Sequence, residues 1–245
     1  MKKRAQREAI ILAGGKGTRL YPYTTMLPKP LMPIQGMPVL EIVVRQLRRH
    51  GFGDITIATG HLSGLIESFF GDGRKFGVRI RYSIEDSPLG TAGPIRLAAP
   101  GAEDFLVMNG DLLTTLDYRA LFDRHVKSAA AATIAAHRRT VPVNFGVLDV
   151  GEGERLVRYT EKPVIGYMVS MGIIILNRRA VRHIPDGAPM DIPDLMGVLV
   201  RNGEKVMCAR QDCFWLDIGR VDDYQDAVRA YARKKKEFLP EDDGG

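Results

Sequence analysis

One feature near the N-terminus restricts the fold more than any other. An apolar run, Glu8 to Ala13, ends directly on Gly14-Gly15-Lys16-Gly17. A short apolar run stopped by glycines reads as a buried strand feeding a tight turn. The chain then alternates. Pro38 to His50 reads as a helix: Pro38 suits the first turn, Val39, Leu40, Val43, Val44 and Leu47 form an apolar face, and Gly51 stops it. Asp54 to Thr59 is a second strand, Ser63 to Phe70 a helix closed by Gly71, and Val78 to Ile84 an alternating strand. Thr91 to Ala98 reads as a short helix and Phe105 to Met108 as another buried strand. This β-α-β-α-β order predicts an α/β fold, a mostly parallel sheet with helices on both faces.

The second half changes character. Ala130 to Ala136, Phe145 to Val150, Leu156 to Thr160 and Tyr167 to Leu176 read as strands with less helix between them. They predict an antiparallel extension. Helices return at Ile192 to Arg201 and Val221 to Arg233, and the polar tail from Glu237 to Gly245 is expected to fray. Without internal repeats or a long linker, the 245 residues read as one domain. Its lobes are expected at about 1–130 and 131–220, with a C-terminal helix and tail over 221–245.

Charge and cysteine usage narrow the function classes. The formal net charge is +6, part of it in Lys2, Lys3, Arg4 and Arg7 and in Arg233 to Lys236. Such end clusters read as solvated faces, so no nucleic-acid partner is expected. The remaining charge suits an anionic substrate only weakly. No apolar stretch approaches the roughly 20 residues that span a bilayer, and the run after the basic N-terminus is too short for a signal peptide. Cys208 and Cys213 stand five apart without a His cluster, which reads as incidental thiols. A cytoplasmic protein without a membrane partner is expected.

The strongest motif is Leu12-Ala13-Gly14-Gly15-Lys16-Gly17-Thr18-Arg19-Leu20. Its glycines let backbone N–H groups approach a ligand, and successive N–H groups in such a turn favour anions. Lys16 and Arg19 add positive charge. The position, at the carboxyl end of a strand, is where open α/β sheets bind ligands, which makes the expected fold Rossmann-like. The loop is neither a P-loop, whose Gly-Lys-Ser/Thr it lacks, nor a dinucleotide fingerprint, whose third glycine is replaced by Leu20.

This segment resembles the signature of the nucleoside-diphosphate-sugar pyrophosphorylases, the sugar-1-phosphate nucleotidyltransferases. Leu27-Pro28-Lys29-Pro30-Leu31 is similar to the second motif of that family. The likeness continues through Leu89 to Gly93, Asn109-Gly110-Asp111, Asn144 to Val147, Glu161-Lys162-Pro163 and Trp215 to Gly219, covering nearly the whole chain. It implies a nucleotide-binding first lobe, a sugar-binding extension, and attack by a sugar-phosphate oxygen on the α-phosphorus of an NTP with release of pyrophosphate. Two anions must meet, so positioning and charge neutralisation should carry the catalysis.

By this resemblance Leu12, Ala13, Gly14, Gly15, Lys16, Gly17, Thr18, Glu85, Gly90 and Thr91 bind the nucleotide. Arg19 meets the leaving pyrophosphate, Lys29 the NTP phosphates and Lys162 the sugar phosphate. Asp111 and Asp217 are expected to converge on one Mg²⁺, which spacing alone does not show. Asn109, Gly146, Glu161 and Ser170 are expected at the sugar. Met168, Ser170 and Met171 read equally as sugar-pocket or core residues. Without the resemblance, Glu161 and Lys162 read as an exposed ion pair before a proline.

Glu85 bears on the base. The thymidylyltransferase branch carries glutamine at the similar position and also where Pro30 stands. An ionised carboxylate only accepts hydrogen bonds, and guanine presents N1–H beside its amino group. With Leu89 to Pro94 resembling guanylyltransferases for mannose or heptose 1-phosphate, GTP is expected. Uridylyl or thymidylyl transfer to glucose 1-phosphate remains the alternative, beside a catalytically inactive regulatory homologue. A nucleotide-sugar-dependent glycosyltransferase would want an Asp-x-Asp motif, and Asp111 is followed by Leu112-Leu113. No hexapeptide repeats announce a β-helix domain. A homodimer or homotetramer is expected by resemblance only. His50, His61, His125, His137 and His183 lack metal-ligand spacing and read as surface or capping residues.

Overall fold

The computed structural model describes residues 7–15, 17–60 and 62–240. Its first strand is β1 (Arg7–Leu12), followed after the glycine loop by the two-residue strands β2 (Pro33–Ile34) and β3 (Met37–Pro38). Helix α1 (Val39–Arg49), β4 (Phe52–Thr59), α2 (Ser63–Phe70), β5 (Arg79–Ile84), α3 (Gly93–Leu97) and β6 (Asp104–Asn109) then alternate as expected. Strand β7 (Leu112–Thr114) leads into α4 (Tyr118–Ser128). The remainder comprises β8 (Ala132–Pro142), β9 (Val147–Val150), β10 (Leu156–Thr160), β11 (Val164–Asn177), α5 (Ile192–Arg201), β12 (Val206–Arg210), β13 (Trp215–Asp217) and α6 (Val221–Phe238).

Seven strands form the main sheet in the order β12-β8-β11-β6-β1-β4-β5. The β6-β1-β4-β5 portion is parallel. Strand β11 pairs antiparallel with both β6 and β8. The fold is thus α/β, mostly parallel, with an antiparallel extension. Side chains alternate across a strand, so Ile11 packs beneath α1, α2 and α4 while Ile10 packs with α3 and α5 on the other face. Burial on both faces explains why β1 reads as a continuous apolar run.

The pattern differs from expectation in several places: β2, β3, β7, β12 and β13 are strands where none is predicted. Helix α4 stands where no helix is predicted. Asp117 caps it by accepting from the Ala120 N–H at 2.9 Å, and Tyr118, Leu121 and His125 bury one face. Helix α6 runs to Phe238, so Glu237 and Phe238 are not frayed. The Phe238 ring stacks on Tyr231 and meets Phe214 edge-on, and Gln46 donates to the Phe238 carbonyl at 3.0 Å. Residues 241–245 lie outside those described. Among the described residues no helix is long and apolar enough to cross a membrane.

Candidate active site

The parallel strands deliver the site at their carboxyl ends, the position favoured in open α/β sheets. Strand β1 ends in the glycine loop, β4 in Gly60, β5 beside Glu85, and β6 in Asn109-Gly110-Asp111. Together they line a cleft of about 840 Å³. Ala13 N–H donates to the Ala58 carbonyl at 2.7 Å, and Gly110 N–H to the Leu12 carbonyl at 2.9 Å, which locks the three strand ends together. Of the residues expected at the nucleotide, Leu12, Ala13, Gly14, Gly15, Gly17, Thr18, Glu85, Gly90 and Thr91 all line this cleft, as do Arg19, Lys29, Asn109 and Asp111. Lys16 lies outside the described residues.

The loop geometry needs glycine at 17 and leaves little room at 14, whereas a Cβ at 15 would meet no atom within 4 Å. Gly17 has φ 62°, and an added Cβ would approach Thr24 Cγ2 to 2.9 Å. Thr24 in turn donates to the Gly17 carbonyl at 2.8 Å. Gly14 abuts Glu85, whose Oε2 accepts from the Leu89 N–H at 2.9 Å. Glu85 thereby pins the Pro88-Leu89 turn while leaving Oε1 against the loop. Thr91 lines the cleft, but its hydroxyl accepts from Ile192 N–H at 2.8 Å and donates to Asp191 at 3.1 Å. Thr91 therefore joins this wall to α5.

Two distant carboxylates meet here. Strand β13 pairs antiparallel with β7, placing Asp217 opposite Leu112. The Ile218 N–H donates to the Asp111 carbonyl at 3.1 Å. The Lys29 ammonium contacts Asp111 Oδ2 closely and stands 3.9 Å from Asp217 Oδ1. Burial first, and then the neighbouring Asp111 charge, hold the Asp217 carboxyl above the ordinary carboxylate range, while Lys29 and Arg19 draw it down. Asp111 Oδ1 is buried without a hydrogen-bond partner among the described residues. A cation already drawn to these carboxylates and an unpartnered buried oxygen both fit a divalent ion. Two protein carboxylates form the sparse set Mg²⁺ accepts when phosphates and water complete its shell. Among the described residues no cluster of three or more His, Cys, Asp or Glu residues is arranged for a metal.

The residues expected at the sugar are not all gathered. Asn109 lines the cleft; Gly146, Glu161, Lys162 and Ser170 are not part of its lining, although Ser170 Oγ accepts from the Gly172 N–H at 3.2 Å and Gly172 abuts the Asn109 side chain. Lys162 and Glu161 are 3.8 Å apart and exposed, and Tyr159 donates to Glu161 at 3.1 Å. Lys162 has φ 43°, uncommon for a residue with a side chain. Gly146 packs under the Tyr159 ring. Met171 belongs to the core, and Met168 and Ser170 are exposed. Gly60, Ser87 and Gly219 also line the cleft without having been expected there. Gly60, directly after β4, carried a usable signal: a glycine at a parallel strand's carboxyl end.

The nucleotidyl transferase family model matches residues 8–234. The chain belongs to this family. It is 32% identical over 230 residues to D-glycero-alpha-D-manno-heptose 1-phosphate guanylyltransferase of Aneurinibacillus thermoaerophilus, covering 91% of this chain and 97% of that one. It is 36% identical over 244 residues to UTP–glucose-1-phosphate uridylyltransferase of Synechocystis, covering 91% of this chain and 62% of the relative. Mannose-1-phosphate guanylyltransferase of Mycobacterium tuberculosis is 31% identical over 238 residues, with 93% and 66% covered. The chain thus spans somewhat under two thirds of the length of these last two relatives. HddC from Yersinia pseudotuberculosis shares the fold, with a TM-score of 0.72 at 24% identity over 92% of this chain and 99% of that one.

Proposed function

We propose that this nucleotidyl transferase family member moves a nucleotidyl group from an NTP, GTP by preference, to mannose or heptose 1-phosphate. The convergence of Lys29, Asp111 and Asp217 beside a glycine-lined cleft carries the reading. A sugar-phosphate oxygen forms a bond to the α-phosphorus, the bond from that phosphorus to the bridging oxygen breaks, and pyrophosphate departs with the electron pair. The attacking phosphate monoester, with a second pKa of about 6, is largely ionised at neutral pH and needs no general base. Loop N–H groups seat the NTP phosphates, and Lys29 neutralises them. Arg19 forks oxygens of the leaving pyrophosphate, a geometry suited to guanidinium. Lys162 brings the sugar phosphate and Glu161 accepts from sugar hydroxyls. Asp111 and Asp217 hold Mg²⁺, which when bound neutralises phosphate oxygens.

Glu85 supports guanine as the base. Its Oε2 is engaged by Leu89, yet each carboxylate oxygen accepts more than once, and Oε1 faces the loop. Relatives named as guanylyltransferases for mannose and heptose 1-phosphate agree with this choice. The second reading, uridylyl transfer to glucose 1-phosphate, draws on the Synechocystis relative. The enzyme is proposed to act as a homodimer or homotetramer in the cytoplasm.

The deciding experiment incubates the protein with Mg²⁺, each of GTP, ATP, CTP, UTP and dTTP, and a panel of hexose and heptose 1-phosphates. Pyrophosphate release with GTP and mannose or heptose 1-phosphate is expected. Release confined to UTP or dTTP with glucose 1-phosphate would replace this reading with the second.

A further inference from the structure

Gly219 lines the cleft between three charged groups. A Cβ added there would lie 3.5 Å from Asp223 Oδ2, 3.7 Å from Arg19 Nη1 and 3.8 Å from Asp217 Oδ1. These groups come from the first turn of α6, the glycine loop and β13, and the small residue lets all three approach one point. Asp217 faces Lys29 and Asp111. Asp223 is the other carboxylate at that point, carried on the first turn of α6.

The same turn of α6 also touches the segment bearing Arg19 and Lys29. Tyr224 donates from its hydroxyl to the Pro33 carbonyl at 2.5 Å, and its ring centroid lies 6.3 Å from that of Tyr23. Helix α6 is therefore tied to this segment on both sides of Lys29 in the sequence. Arginine carries many rotamers, and a group that acts on a leaving anion gains from being oriented beforehand.

We infer that Asp223 is a positioning residue, whose carboxylate orients the Arg19 guanidinium across Gly219 toward the leaving pyrophosphate. The inference rests on the proposed role of Arg19. A competing explanation is that an acid in the first turn of α6 merely complements the helix dipole. Asp222 supplies the internal control, because it occupies the same first turn, is exposed, and is not among the three groups nearest Gly219.

Steady-state pyrophosphate release should be measured for Asp223→Asn, Asp223→Glu, Asp222→Asn, Arg19→Ala and the Arg19→Ala/Asp223→Asn double variant, each checked by circular dichroism. Asp223→Asn is expected to lower kcat about tenfold while leaving the sugar-phosphate KM within about twofold, as misorientation of a catalytic group does. Asp223→Glu should recover most of that loss, and Asp222→Asn should stay within about twofold of wild type, the ordinary outcome for an exposed surface charge. Because the two residues act as one unit, Asp223→Asn should cost less than about twofold further in the Arg19→Ala background. Equal losses from Asp222→Asn and Asp223→Asn, or multiplicative losses in the double variant, would overturn the inference. A slow Arg19→Ala beside a wild-type-like Asp223→Asn would sink the inference alone. A wild-type rate for Arg19→Ala would instead remove the proposed role of Arg19, and this inference with it.

Discussion

A methyl group on Gly14 would stand 2.6 Å from Glu85 Oε1. The carboxylate would have to swing away, and its bond to the Leu89 N–H would go with it. The strand ends do not depend on that bond. Gly14→Ala is therefore expected to fold, with stability changed by about 1 kcal/mol or less, but to bind nucleotide at least about tenfold more weakly, the equivalent of roughly 1.4 kcal/mol. Calorimetric nucleotide binding beside a thermal melt checks both halves, and unchanged affinity would mean the loop and Glu85 do not share the ligand. Glu85→Gln separates structure from readout at the same place. A glutamine oxygen still accepts from Leu89, while its amide adds a donor that guanine N1–H cannot use. The variant should lose preference for GTP over UTP and dTTP with its melting temperature nearly unchanged. Preference left intact would assign base recognition to the backbone.

At the scale of the element, the three-residue ladder between β7 and β13 bears the most weight. It aligns Asp217 with the residue after Asp111, and Trp215 anchors its far end by donating from Nε1 to the Met171 carbonyl at 3.0 Å. Trp215→Phe keeps a ring there and removes the donor. A cost of about 1 kcal/mol in stability is expected, together with a several-fold fall in kcat as Asp217 loosens. Denaturant melts and turnover test the pair, and a stability loss with full turnover would show that Trp215 packs without positioning. This ladder also shows where sequence reading stops. Each carboxylate sits in a legible motif, but strands of three residues have no periodicity, so their pairing is invisible until the chain folds. Strands β1 and β6 were legible because burial on both faces writes a continuous apolar run, and β5, at the sheet edge, because its residues alternate. Helix α4 was missed although Asp117 caps it and Tyr118, Leu121 and His125 recur at helical spacing, because Arg119, Asp123, Arg124 and Lys127 dilute the face. His125 itself, expected as a surface or capping residue, is buried, with Nδ1 2.7 Å from Thr133 Oγ1 and Nε2 3.3 Å from Asp104 Oδ1. Burial holds its pKa below 6.5 despite Asp104. The folded state then binds fewer protons than the unfolded one, so this contribution is whole above pH 6.5 and is lost as pH falls below it. His50, also lowered by burial, acts in the same direction. Replacing His125 with glutamine should lower stability at neutral pH yet flatten the decline below pH 6.5, as thermal melts across pH would reveal. An unchanged slope would assign the acid sensitivity to His50 or to carboxylates.

Across the whole molecule, the proposed nucleotide side and the proposed sugar side are built differently. The cleft sits at the carboxyl ends of the parallel strands, of which β1, β4 and β6 are largely buried, whereas Gly146, Glu161 and Lys162 sit around a ribbon formed by the outer halves of β8 and β11 and the separate β9–β10 hairpin. Every residue of β10 is exposed, and Phe145, Leu156 and Val157 are 77%, 61% and 69% exposed. A two-stranded hairpin with little covering it is marginally stable alone, and such a segment belongs to the low-stability end of local opening. In the proposed reaction Lys162 meets the sugar phosphate, so this part of the chain is expected to draw toward the cleft when substrate binds. Hydrogen exchange over residues 143–163 is therefore expected to be fast in the free protein and to slow markedly when nucleotide and sugar 1-phosphate are both present, with nucleotide alone having a smaller effect. Lys162→Ala should abolish the additional protection from the sugar phosphate while leaving the nucleotide's protection of the β1 loop. Full protection of the hairpin in the free protein, combined with normal turnover, would mean that the sugar phosphate is held from the cleft side and that Lys162 has another role.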